Sequence, residues 1–233
     1  MLRILSCLSL LVAFGLAAAA GPSSPVKDLA KRTVDRNANW VIEKYDVKAK
    51  RLGKPEESAD PSMWAMYITA ICEQRRDYKE VNGPFVSDPV EVLLSKVTDK
   101  GTIEGARDDG GTEYMAAEAL EATKNPKYKD VIEKLRKVAH PPALPLEIKT
   151  VEQLTSIDLQ PQNLMQLIAA CRKLAKDGKK EITVGDKTVN WAETISEGLM
   201  KKEQKQGTNG WYTGDLRTDM LVLQLLNVCY KQL

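Results

Sequence analysis

Histidine, cysteine and aromatic rings are all scarce in this chain, and each shortage closes off a class of function. Its 233 residues include one histidine, His140, and four cysteines, with no Cys-x-x-Cys pair. A zinc site needs three or four such ligands brought together, so no metal and no other cofactor is expected. Cys72, Cys171 and Cys229 are odd in number, far apart and each inside an apolar run. They read as buried small hydrophobes rather than a disulfide framework, although one bridge with one free thiol fits the count. Charge of one sign is missing too: the formal net charge is +2, and acids and bases alternate, as in Glu133-Lys134-Leu135-Arg136-Lys137. Such solvated helix faces offer no footprint for nucleic acid. His140 precedes Pro141-Pro142 and is placed to close a helix, where an imidazole can meet the last carbonyls.

Long apolar runs are also absent, except at the start. There Met1-Leu2-Arg3 leads into an apolar stretch over residues 4–16, then Ala17 to Ala20 and Gly21-Pro22. This is the order of a secretory signal, with cleavage expected after Ala20. The stretch is shorter than the roughly 20 residues a spanning helix needs, and no later segment reaches that length. Cys7 lies within the stretch and is not placed for lipid attachment. The expectation is therefore a signal over 1–20, a linker over 21–25 and one domain over 26–233, exported to a periplasmic or extracellular space and not inserted in a membrane. A hydrophobic fraction of 43% supports one core of this size.

Helix starts recur along the domain. Asp60-Pro61, Gly110-Gly111-Thr112, Gln160-Pro161 and Arg217-Thr218 open predicted helices over 62–78, 113–124, 162–176 and 219–231. The interval is about 50 residues, within the range of helical repeats. These four segments are apolar over most of their circumference, as in Met63-Trp64-Ala65-Met66-Tyr67-Ile68. Between them lie helices with a single apolar stripe. The stripes comprise Leu29, Val34, Trp40 and Val41; Val90, Leu93, Leu94 and Val97; Val131, Ile132, Leu135 and Val138; then Trp191, Ile195 and Leu199. One stripe means one buried face, so the chain alternates outer and inner helices through four pairs. Pro141 to Pro145 interrupts the pattern, a short helix is expected over 151–156, and residues 181–189 read as one small β-hairpin.

The connections carry a resemblance. Pro89 to Thr112 and Asn190 to Thr218 each run through an outer helix, a glycine-containing turn followed by an aliphatic or aromatic residue, a polar loop, and a threonine-led inner helix. This layout resembles the prenyltransferase and squalene-oxidase repeat, which builds an α/α toroid. The resemblance implies an all-α, toroid-like stack, open if four pairs are too few to close a ring. In the cyclase branch an aspartic acid at the head of an inner helix starts carbocation chemistry among aromatic rings. Asp108 and Asp109, and near the last helix Asp215 and Asp219, occupy comparable positions. Aromatic residues make up only 6% of the chain, and Asp108-Asp109 sits in a glycine-rich turn where aspartate commonly caps. The Asp, Cys and His zinc set of the protein prenyltransferases has no counterpart here, nor has a thioester motif.

The expected function is accordingly a non-catalytic binding or interaction module for a peptide, a glycan or a partner protein. Its site would lie where the loops before the inner helices converge, because helix N-termini there share a rim of partial positive charge. The candidate residues are Asp108, Asp109, Thr112, Trp211, Tyr212, Asp215 and Thr218. The rival expectation is a cyclase-like or lyase-like enzyme using Asp108 or Asp109 as general acid. A third is a subunit completed by self-association into a homo-oligomer.

Overall fold

The computed structural model describes residues 25–74, 83–106 and 109–233. The expected signal segment, the end of the first predicted inner helix and Asp108 lie outside the described residues. What is described is mostly helical, with three two-stranded antiparallel sheets.

Four helices form the inner set, α3 (Pro61–Cys72), α5 (Gly111–Ala122), α8 (Pro161–Lys176) and α10 (Leu216–Tyr230). Asp60 starts α3 by accepting from the Ser62 N–H at 2.8 Å, with Pro61 at the first turn, and every residue of α3 is buried. Helix α10 begins three residues before the expected start. Its cap is Asp215, which accepts from the Thr218 N–H at 2.8 Å, so Thr218 belongs to the first turn and does not precede it. The helices expected on the outside are α1 (Pro25–Glu43), α4 (Pro84–Ser95), α6 (Lys129–Val138) and α9 (Trp191–Lys202). Their stripes are buried as expected at Val34, Trp40, Val41, Val90, Leu93, Leu135, Trp191, Ile195 and Leu199. Leu29 departs from this pattern and is 49% exposed. Short helices α2 (Pro55–Ala59) and α7 (Glu152–Thr155) fill connections.

The expected hairpin forms as β3 (Glu181–Val184) and β4 (Lys187–Asn190). Two more appear that periodicity does not reveal, β1 (Tyr45–Asp46) with β2 (Arg51–Leu52), and β5 (Gln204–Gln206) with β6 (Asn209–Trp211). The second of these turns at Gly207, whose φ of 58° suits glycine.

Three side chains of α10 fix its direction against α3. Arg217 donates to Asp60 at 2.6 Å, Gln224 to the Met66 carbonyl at 3.2 Å, and Asn227 to the Ala70 carbonyl at 2.9 Å. Both numbers in each pair rise together, so the two helices run parallel. Helix α3 also packs on α5, and α10 on α8 and α9. The first outer helix meets the last pair, because α1 packs on α9, α10 and β6. Arg36 of α1 clasps the fully buried Glu203 carboxylate through two bonds of 2.7 and 2.6 Å, and Asn37 donates to the Gly210 carbonyl. The two ends of the described chain are thereby fastened together.

Candidate functional site

Six of the seven sequence-derived candidates fall on described residues, and each has a local task. Asp109 Oδ1 accepts from the Gly111 N–H at 2.9 Å and shapes the turn into α5. Gly110 holds φ at 69°, and its carbonyl accepts from the N–H groups of Tyr114 and His140. It is thus the backbone of His140, rather than its imidazole, that joins the end of α6 to the start of α5. Thr112 is buried in that first turn. Trp211 is half-buried and donates from Nε1 to Gln204, and Asp215 is the α10 cap.

Tyr212 and Thr218 lie buried in the same connection as Asp215, around an acid of greater structural weight, Asp219. Asp219 has no exposed surface and accepts from the N–H groups of Tyr212 at 2.7 Å, Gly214 at 2.9 Å and Thr213 at 3.4 Å. Burial pushes its carboxyl pKa up, and those three donors only partly offset the shift. The Tyr212 hydroxyl is buried without a hydrogen-bond partner among the described residues; burial first, then Glu203 and Asp219, hold its pKa well above the phenol range. The structure brings Trp211, Tyr212, Asp215 and Thr218 together where the chain leaves β6 and enters α10, and sets Asp109 and Thr112 apart at the start of α5.

A concavity walled by several helices lies elsewhere. A cavity of about 530 Å³ opens between α5 and α8, and all four inner helices contribute to its wall. Met66 and Thr69 come from α3, Met115 and Glu118 from α5, Met165 and Arg172 from α8, and Leu221 and Gln224 from α10. The segment from Pro141 to Pro145 covers one side. None of the six described loop candidates lines it. Sequence reasoning missed the apolar positions because each is one apolar residue among several on its helix, with no local mark for the side left uncovered. Three methionines on three helices are the one signal that could have pointed here, since thioether side chains adapt to irregular space.

The scarce aromatic rings do not gather at this cavity. Tyr114 is the ring in its wall, with the Arg136 guanidinium 5.0 Å from its centre. Trp64, Tyr67 and Phe85 instead pack around Tyr45, each ring centre about 6 Å from its own.

Ion pairs close the cavity's charged end. Arg172 donates to Glu73, just past α3, at 2.9 Å and to Glu118 of α5 at 3.5 Å. Glu118 also receives Arg136, which reaches Glu121 at 2.9 Å. Burial works against the Arg172 charge, but Glu73 and Glu118 outweigh it and its pKa is raised. Of the remaining charged side chains in the wall, Lys173 and Lys176 are both exposed and one helical turn apart on α8.

Cys72, Cys171 and Cys229 are buried free thiols, and burial pushes Cys72 up to about 12. Among the described residues, no group of three or more His, Cys, Asp or Glu is placed to hold a metal ion, and no helix is long and apolar enough to cross a membrane. No family model, curated protein or solved structure matches the chain.

Proposed function

We propose that the protein is an exported, non-catalytic binding module whose ligand enters the cavity between the inner helices. The observation that carries this reading is a concavity walled by four separate helices, of a volume that suits a small ligand. Within the cavity Arg172 is engaged with Glu73 and Glu118, the Thr69 hydroxyl with the Ala65 carbonyl, and Gln224 with the Met66 carbonyl, while Lys173 and Lys176 stay exposed at the rim. Catalysis among the inner groups would call for one left poised toward the space, and these side chains, with Glu118, are tied down. Export rests on the leader over residues 1–20.

The architecture we infer is a small α/α toroid of four pairs, related to the prenyltransferase and squalene-oxidase repeat. In support, α3 and α10 run parallel, α1 meets the last pair, and the inner helices follow one another in the order α5, α3, α10, α8 with the cavity between the last and the first. Four pairs then close a ring through Arg172 and Glu118 instead of through packed side chains.

The test is titration with Nile red, an uncharged dye whose emission rises in apolar surroundings. One saturable site is expected, and Ala169→Trp, which fills the cavity wall from α8, should abolish it while leaving the circular-dichroism spectrum unchanged. Absence of saturable binding, or binding untouched by Ala169→Trp in a folded variant, rules the reading out.

A further inference from the structure

We propose that the cavity takes a long-chain monocarboxylate, a free fatty acid in chemical class, with its hydrocarbon between the inner helices and its carboxylate at Lys173 and Lys176. This rests on the reading of that cavity as the binding site, and it narrows the ligand by asking what the wall can satisfy.

A peptide or a glycan brings many polar groups, each of which must find a partner once removed from water. The wall offers few. The hydroxyl of Thr69 donates within its own helix, and Gln224 donates across to α3. The covering segment contains Pro141, Pro142 and Pro145, which have no N–H to give. A hydrocarbon chain asks for none of these. Met66, Met115, Met165, Ile168 and Leu221 give it an apolar lining that adapts to an unbranched, flexible shape.

The charges fix the other end of the ligand. Glu118, the acid in the wall, is neutralised by Arg136 and Arg172, and Arg172 is itself shared between Glu118 and Glu73. Lys173 and Lys176 remain as cations at the rim. Two ammonium groups one turn apart match one carboxylate, by charge and by hydrogen bonding to a charged acceptor. Beyond Lys173 a second cavity begins, lined by three acids, Glu147, Asp177 and Glu181, against Lys173 and Lys179, so a carboxylate finds less positive charge there. The head is thereby held on the first cavity's side of the lysines.

The experiment displaces bound Nile red with three C16 probes, each below its micelle concentration: hexadecanoate, hexadecanol and hexadecyltrimethylammonium. Hexadecanoate should displace the dye about tenfold more effectively than hexadecanol, as expected for hydrogen bonds to a charged group. The ammonium should be the weakest. The double variant Lys173→Glu with Lys176→Glu should erase the carboxylate preference, leaving hexadecanol unaffected. Equal displacement by hexadecanoate and hexadecanol, or a preference that survives the double variant, overturns the carboxylate assignment and leaves the binding cavity standing. Displacement by N-acetyl-trileucine but not by hexadecanoate reassigns the site to peptides. Failure of Nile red itself to bind removes the underlying reading along with this one.

Discussion

The carboxylate of Asp219 is withdrawn from solvent and still surrounded by donors, which makes it a residue whose chemistry can be separated from its packing. Its two oxygens serve different N–H groups, Oδ1 that of Tyr212 and Oδ2 that of Gly214. Asp219→Ala strands both donors, and should cost about 3 kcal/mol in urea denaturation, since each buried unpaired group costs roughly 1–3 kcal/mol. Asp219→Asn keeps one acceptor but aims an NH₂ at the other donor, so it should also destabilise, by less. The two proteins should diverge with pH. Because the folded carboxyl is raised above its unfolded value, the folded state takes up the proton first as pH falls. Wild type should therefore gain stability relative to Asp219→Asn as pH falls through the folded pKa toward the unfolded value near 3.8, and lose that gain as pH rises again. A constant difference from pH 6 to pH 4 would refute the assignment. The acid four residues after Asp215 was visible in the sequence, but its burial was not, because that depends on how the 212–214 backbone folds over the first turn of α10. Caps are local, so Asp60 was legible. At α10 two capping residue types, Asp215 and Thr218, compete within three positions, and the earlier one prevails.

Helices α3, α5 and α10 were legible because burial on most sides leaves a dense apolar signal, and the outer helices because one buried face leaves a periodic one; α8, expected to be apolar nearly all round, buries a single face through Leu164, Leu167, Ile168, Ala170 and Cys171. The hairpins β1–β2 and β5–β6 were not, since two- and three-residue strands are too short to display an alternation. Nor did the sequence reveal where elements approach most closely. Gly198, in the middle of α9, faces α7 so tightly that a Cβ there would lie 2.7 Å from the Thr155 carbonyl oxygen and 3.1 Å from that of Leu154. In a free helix Gly→Ala stabilises by about 1 kcal/mol. Here the added methyl must push backbone against backbone, and overpacking of that kind costs about 1–3 kcal/mol. Gly198→Ala should therefore lower the thermal midpoint by a few degrees, roughly 2–4 °C for each net kcal/mol in a chain of this size. A raised midpoint would mean that α7 yields freely and does not brace α9.

Across the whole molecule, the inner helices are joined by two kinds of seam. Between α3 and α10 the seam is packed side chains with buried amide bonds to backbone carbonyls, and it should open only with global unfolding. Between α5 and α8 a cavity takes the place of packing, and Arg172 bridges it. Arg172→Met keeps an unbranched apolar stem and removes both pairs, leaving Glu73 and Glu118 half-buried with one partner fewer. Loss of a fully buried partner costs about 3–5 kcal/mol and of an exposed one about 0–1 kcal/mol, so about 2 kcal/mol is expected here. Where that loss falls decides whether the two seams differ. Amide hydrogen exchange should quicken in α5 and in the C-terminal turns of α8, with α3 and α10 keeping their protection relative to global stability. Uniform acceleration across all four helices would show instead that the cavity side is as cooperative as the packed side, and that Arg172 is one more contact in a single core.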